Sequence, residues 1–251
     1  MNIRSPNDGP LIWALTDERP GNRSQCLGVA EALGLDFQVK DLTTNRLSAV
    51  PNFLLGASFA GLTDESRSQL TAPWPDLVIA AGRRTAPAAR KINRLGGGGC
   101  FLAQIMHPGA GADDFGLIAQ PRHDRAGGGL NVLSITGAPH MLSDARLQAE
   151  ASRWQGRFDD LPKPWIAVIV GGSTRRRRFT AAMAEELGAR VSKMALASGG
   201  SLLVTTSRRT GDVSESLQNA LHAPNRFYRW GQGESEGDEH ENPYLGFLAL
   251  A

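Results

Sequence analysis

The chain has 251 residues, 41% apolar and 21% charged, with a formal net charge of +2. That length suits one large domain or two ordinary ones, and the near-balanced charge argues against a whole-chain nucleic-acid binder. Cys26 and Cys100 stand far apart with no C-x-x-C spacing, which argues against a disulfide framework or cysteine zinc site and fits a reducing, cytoplasmic compartment.

The opening MNIRSPNDGP has no apolar h-region, and no apolar run reaches membrane-spanning length. Leu11–Leu35 reads as a short apolar strand, a polar turn and an amphipathic helix. Cys26, Val29, Ala30 and Leu33 fall at i, i+3, i+4 and i+7, and Gly34 stands where the helix should stop. Such a strand–turn–helix unit aims backbone N–H groups and a positive helix end at one spot, which suits an anion. Phe37–Val39 is a possible second strand, and Asp41–Pro75 is irregular. Pro75–Gly82 is a near-continuous apolar run, as expected of a parallel strand covered on both faces. Ala86–Leu95 follows as a helix, with strands predicted at Cys100–Met106, Phe115–Ala119 and Asn131–Thr136.

Asp144–Phe158 is predicted helical, with Leu147, Ala151, Trp154 and Phe158 on one face, and 159–164 resembles a linker. The α/β rhythm restarts with a strand at Trp165–Val170, a glycine turn, and a helix at Phe179–Ala197 carrying Phe179, Met183 and Leu187 at spacings of four. A strand at Ser201–Thr206, a helix at Asp212–His222 and a short strand at Arg226–Trp230 follow. Asn242 then caps an apolar helix at Tyr244–Ala251 with Pro243 at its first position. The expectation is an α/β protein of two parallel-sheet domains, 1–158 and 165–251. With only about three strands, the C-terminal domain is expected to be incomplete against the five or six of a doubly wound domain.

Candidate ligand groups cluster after strand ends. Asp17, Gly21, Asn22 and Gln25 line the opening turn, where Asp17 either serves as a base or caps the helix. Gly82, Arg83, Arg84 and Thr85 form the turn after the Pro75–Gly82 strand, as an anion site or as a solvated turn capped by Thr85. Gly171, Gly172 and Ser173 could cradle a phosphate or form an ordinary tight turn, and Ser207, Arg208 and Arg209 repeat the polar, basic pattern. The Arg175–Arg178 run suits a diphosphate or a solvated face, and the acid-rich Glu234–Glu241 reads as a solvated loop. Among the histidines, His123 adjoins Asp124 as a candidate base pair, and neither it, His107 nor His140 has metal-ligand spacing. Gly56–Ala60 imitates a hydrolase nucleophile elbow around Ser58. There is neither a G-x-x-x-x-G-K-[ST] loop nor a G-x-G-x-x-G after a strand, so ordinary nucleoside triphosphatases and nicotinamide dehydrogenases lack their fingerprints.

Taken in order, WALTDERPGNRSQCLGVAEALG, PDLVIAAGRRTAPAA, PRHD, NVLSITGAPH, IVGGS, LLVTTSRRT and ENPYLGFLALA resemble the mitochondrial-fission Elm family, named for elongated mitochondria. Its bacterial members are often labelled predicted nucleoside-diphosphate-sugar epimerases. The resemblance implies a GT-B fold, two Rossmann-like domains facing a cleft, with acceptor on the first and nucleotide-sugar donor on the second. It assigns Asp17, Gly21, Asn22, Gln25 and Gly82–Thr85 to the acceptor side, and Gly171, Gly172, Ser173 and Ser207–Arg209 to the donor diphosphate. Two departures stand out. His107-Pro108 replaces an acidic residue before proline, and the D-S-x-S-M segment and later helix of relatives do not occur before Ala251.

The function expected is nucleotide-sugar binding and, in full-length form, glycosyl transfer to an unknown acceptor, with Asp17 or His123 as base. No tightly bound cofactor, metal or nucleic acid is expected, and contact with a membrane would be peripheral. The alternatives are a non-catalytic scaffold and a sugar epimerase. The latter would need a nicotinamide and a Tyr-x-x-x-Lys pair, which neither Tyr228 nor Tyr244 supplies.

Overall fold

The computed structural model describes residues 9–124, 128–174, 177–231 and 242–251. Arg175, Arg176 and the acid-rich Glu234–Glu241 lie outside the described residues. The chain forms two compact units, Met1–Met141 and Leu142–Ala251.

In the first unit six parallel strands are ordered β2-β1-β3-β4-β5-β6. They are β1 (Ile12–Asp17), β2 (Gln38–Leu42), β3 (Leu77–Ala81), β4 (Phe101–Ile105), β5 (Leu117–Pro121) and β6 (Val132–Ile135). Side chains alternate across a strand, so β1 feeds two cores. Trp13 and Leu15 pack with Val78, Ala80, Leu102 and Ile118, while Ile12 and Ala14 pack with Ile79, Ala81 and Ile105. Helix α1 (Pro20–Ala32) covers the second set through Cys26, Leu27 and Ala30. Short helices α2 (Asn52–Leu55) and α3 (Asp64–Ser68) punctuate the stretch expected to be irregular. Helix α4 (Ala86–Leu95) covers the first set through Ala88, Ala89 and Ile92. From β1 the chain crosses outward to β2, then returns to the other side of β1 for β3. The carboxyl ends of β1 and β3 are therefore the switch point where open α/β sheets receive ligands.

Leu33 differs from expectation. It terminates α1 and is 45% exposed, because the helix ends at Ala32 and Gly34 turns the chain away at φ +64°. Cys26 is fully buried, donating its S–H to the Leu15 and Ile79 carbonyls at 3.4 and 3.3 Å. Burial pushes its thiol from 9.0 to about 12 and that of Cys100 from 9.0 to about 11. A thiol held neutral in the folded state stabilises it below the ordinary thiol value, and this contribution is lost as pH climbs toward the raised one. Neither cysteine is therefore expected to react with a disulfide reagent at pH 8 until the chain unfolds, and melting temperature should fall between about pH 9 and 12. Rapid native-state labelling would contradict this.

The second unit has a parallel sheet β7-β8-β9: β7 (Trp165–Ile169), β8 (Ser201–Thr205) and β9 (Asn225–Tyr228). Central β8 is wholly buried and sends Leu202 and Val204 to one face and Leu203 to the other. Helices α6 (Ala181–Ser198) and α7 (Val213–Asn219) cover the first face. Helix α6 fully buries the small residues Ala184, Gly188, Ser192 and Ala195; of the predicted stripe, Leu187 and the preceding Phe179 pack partly buried against the same core, while Met183 is 50% exposed. Small residues win because α7 approaches closely: a Cβ on Gly188 would press on Ala220 and the Leu217 carbonyl.

The opposite face carries α5 (Asp144–Trp154) and α8 (Tyr244–Leu250). Trp154, Phe158, Trp165, Leu203 and Phe247 form its core. The division thus falls before α5, whereas the residue pattern places this helix in the first domain and the boundary at 159–164. Its aromatic end needs the partners that only the second unit supplies. Pro243 occupies the cap position of α8, one residue later than predicted, and the Asn242 side chain accepts from the Tyr244 N–H at 3.0 Å.

Candidate functional site

At the switch point, Asp17 ends β1 and is buried. It does not cap α1, whose cap position is Arg19 without a side-chain bond. Instead its Oδ1 accepts from the Arg19 N–H at 3.1 Å and its Oδ2 from Asn22 Nδ2 at 2.9 Å. The Asn22 amide lies against Gly82, where any Cβ would collide with it, and Gly82 also has φ +80°. Asp17, Asn22 and Gly82 therefore form one constellation that joins the β1 and β3 turns. Gly21 has open space around it, and the buried Gln25 Oε1 has no hydrogen-bond partner among the described residues.

The basic groups of this unit are largely engaged. Arg83 donates to the carbonyls of Ser48 and Val50, each at 2.9 Å, and to Asn52 Oδ1 at 3.1 Å. Asn52 returns the contact to the Arg83 carbonyl at 2.9 Å. Arg83 is thus a clamp on the segment before α2, not an anion ligand. Arg84 donates to Thr44 Oγ1 at 3.2 Å and stands 3.8 Å from Glu18. Arg23 pairs with Asp41. Thr85 occupies the cap position of α4 as expected, but its buried hydroxyl bonds back to the Ala81 and Gly82 carbonyls at 3.0 and 3.1 Å and makes no side-chain cap bond. Both guanidinium groups of the Gly82–Thr85 turn thus have protein partners, although the buried Arg84 Nε has none among the described residues.

His123 and Asp124 lie in a short 3-10 turn after β5, with His123 Nε2 3.6 Å from Asp124 Oδ1 and the imidazole 65% exposed. Three strand spacings separate the ends of β1 and β5, roughly 14 Å. Asp17 and His123 therefore do not form one catalytic pair. Ser58 follows α2 rather than a strand, and its hydroxyl donates to the Leu55 carbonyl at 2.7 Å, so the nucleophile-elbow pattern has no structural counterpart. No cluster of three or more metal-ligating side chains occurs among the described residues.

In the second unit the turns after β7 and β8 are locked together. A Cβ on Gly172 would run into the backbone of Arg209, and the Ser173 N–H donates to the Arg209 carbonyl at 3.1 Å. Buried Thr210 is the hub: its hydroxyl donates to the Gly171 carbonyl at 2.7 Å and accepts from the Ser207 N–H at 3.0 Å. Gly172 is thus required by close backbone approach. The glycine turn also does not open α6 directly, since that helix starts at Ala181 behind its Thr180 cap. Ser173 Oγ accepts from the Phe179 N–H at 3.0 Å and keeps its own proton to donate. Arg208 and Arg209 differ from their first-unit counterparts: both are exposed, with no acidic partner among the described residues.

Sequence reasoning missed the next turn. At the carboxyl end of β9, Gln218, Arg229, Trp230 and Gly231 line a concavity of about 440 Å³. The Trp230 N–H donates to Thr206 Oγ1 at 2.9 Å, which ties this turn to the one carrying Ser207–Arg209, and Trp230 is 43% exposed. The detectable signal is Arg-Trp-Gly directly after a strand, which hydrophobic pattern alone assigns to the end of that strand.

The two parallel sheets, each carrying helices, define an α/β protein of GT-B type with Rossmann-like units. The solved UDP-GlcNAc 2-epimerase from Methanocaldococcus jannaschii shares this fold at a TM-score of 0.50 and 12% identity, covering 95% of this chain and 75% of that one. Residues 20–251 match the family described as Mitochondrial fission ELM1, and the chain belongs to it. It is 30% identical to "Mitochondrial fission protein ELM1" of Arabidopsis thaliana over 92% of this chain and 70% of that protein. It is also 27% identical to "Uncharacterized protein RP120" of Rickettsia prowazekii (strain Madrid E), over 96% of this chain and 75% of that one. No helix among the described residues is long and apolar enough to cross a membrane.

Proposed function

We propose that the second unit binds a nucleoside-diphosphate sugar and the first a hydroxyl-bearing acceptor, with the protein acting as a glycosyltransferase. The observation that carries this is the contrast in arginines. Arg83 and Arg84 are engaged within the first unit, while Arg208 and Arg209 stand exposed beyond a buried parallel strand. Two guanidinium groups with no ion pair among the described residues suit a diphosphate, and the Ser173 and Ser207 hydroxyls add neutral donors. Trp230 and Arg229 offer a stacking surface for a nucleobase.

In the reaction proposed, a base takes the proton of the acceptor hydroxyl as its oxygen bonds to the anomeric carbon, and the diphosphate leaves with the electron pair of the broken carbon–oxygen bond. On the first unit Asp17 is the candidate base; on the second, Arg208 and Arg209 are the candidate partners of the diphosphate charge. Asp17 is preferred to His123 because it is buried and fixed by two hydrogen bonds, whereas His123 is largely exposed.

Calorimetric titration with uridine, adenosine and guanosine diphosphates and their sugars tests the reading. Saturable binding of at least one sugar, competed by its nucleoside diphosphate, is expected. Absence of heat with all of them would remove the proposal, and binding without diphosphate release in the presence of acceptors would leave a binding protein.

A further inference from the structure

His107 leaves β4, a central strand of the first sheet, by an unusual route. Met106 before it has φ +66°, and is the non-glycine residue with positive φ among those described. That conformation is strained for a residue with a side chain and persists only where surrounding contacts impose it. Here the contacts are plain. The Met106 N–H donates to the Ala119 carbonyl at 2.9 Å, and Asn52 Nδ2 donates to the Pro108 carbonyl at 2.6 Å. Arg90 pairs with Asp114 further along the same loop. The loop is therefore held rigidly, and the imidazole with it.

The ring's orientation follows from one bond. The Gly109 N–H donates to His107 Nδ1 at 3.1 Å. A nitrogen that accepts carries no proton, so the neutral ring bears its proton on Nε2. That Nε2–H has no partner among the described residues, and the ring is half-buried. The result is an N–H donor on an anchored ring at the carboxyl rim of the sheet, with no hydrogen-bond task among the described residues.

The named charges of this rim are Asp17, Glu18 and Asp41 against Arg19, Arg23, Arg83 and Arg84; Arg23 pairs with Asp41, Arg84 stands near Glu18, and Arg83 donates to carbonyls and an amide oxygen. A hydroxylated neutral group finds an acceptor in Asp17 and a donor in His107. The ends of β1 and β4 are two strand spacings apart, roughly 10 Å, a span that one sugar ring with hydrogen bonds at both ends can cover.

We propose that His107 is a ligand-binding residue whose Nε2–H donates to a neutral, polyhydroxylated group held by the first unit; this rests on the reading that the first unit receives the acceptor. Two substitutions separate its two nitrogens. His107→Asn keeps an oxygen able to accept from the Gly109 N–H but has no distal donor. His107→Gln places an amide N–H near the Nε2 position and gives up the anchor.

The test is nitrogen-detected histidine NMR on the full chain, titrated with N-acetylglucosamine and, separately, with inorganic phosphate. The wild-type His107 signal should report the Nε2–H tautomer and move with N-acetylglucosamine but not with phosphate. His107→Asn should keep the wild-type melting temperature and bind the sugar about tenfold more weakly, while His107→Gln should retain more of the affinity at a lower melting temperature. An Nδ1–H tautomer, no sugar response in the wild type, a phosphate response instead, or unchanged sugar affinity in His107→Asn would each overturn the proposal. Failure of nucleoside diphosphates to bind the second unit would not alter these signals, so the two readings fail separately.

Discussion

Phe247→Ala is expected to destabilise the second unit by about 3–5 kcal/mol, the usual cost of deleting a buried aromatic ring. Phe247 is 1% exposed and meets Phe158 edge to face at 5.4 Å between ring centres. The preceding Gly246 has no room for a Cβ because Trp154 lies against it. Trp154 in turn stacks on Phe158, which meets Trp165 of β7 edge to face. Helix α8 is thus part of the layer that covers one face of the β7–β9 sheet. Against a total domain stability of about 5–15 kcal/mol, the loss is large. Hydrogen exchange should show protection falling in α5, α8 and β8, and chemical denaturation should show an earlier transition. A variant within 1 kcal/mol of wild type, on the order of a surface substitution, would mean that α8 adds little to this core.

Arg208→Ala with Arg209→Ala is expected to weaken nucleoside-diphosphate binding by about 10²- to 10⁴-fold, since each removes a charge-assisted bond of about 1.5–3 kcal/mol. Both side chains are exposed and hold no ion pair among the described residues, so their removal should leave the melting temperature within a degree or two. Arg190→Ala is the matched control. It removes an exposed guanidinium from α6 that stands 3.7 Å from Glu186, and should not affect binding. Equal weakening by the control would indicate general charge attraction. The affinity lost by the double variant should also exceed the loss seen in the wild type on raising salt, because close pairs are screened less than distant ones.

Much of the fold is readable directly from residue patterns. The buried run of β3, the span of α4 and the restart at Trp165 follow from hydrophobic continuity, turn residues and the change of period. Other features depend on tertiary contacts that spacing does not encode. Of the stripe Phe179, Met183 and Leu187, the first and last pack partly buried against the core, yet the close approach of α7 selects the small residues of α6 for full burial and leaves Met183 exposed. The membership of α5 is decided by Trp154 and its partners near the end of the chain.

The site divides in the same way. Glycine and arginine after a strand locate the rims, and both rims occur where expected. Sequence alone assigns the same role to Arg83 and Arg209, because it does not contain the carbonyls of Ser48 and Val50 that occupy Arg83. Gly171–Ser173 resembles a phosphate cradle, but Gly172 answers to the Arg209 backbone. By spacing His107 is one of five histidines, and the Gly109 N–H that anchors its ring sets it apart.

Arginine-specific dicarbonyl labelling, read by mass spectrometry with and without uridine, adenosine or guanosine diphosphate, tests the division of charge most directly. Arg208 and Arg209 are expected to be labelled in the free protein and protected by at least one of these nucleotides, while Arg83 stays unlabelled and Arg19 is labelled equally in both states. Protection at Arg19 or Arg84 with Arg208 and Arg209 unchanged would place the anion on the first unit and contradict it.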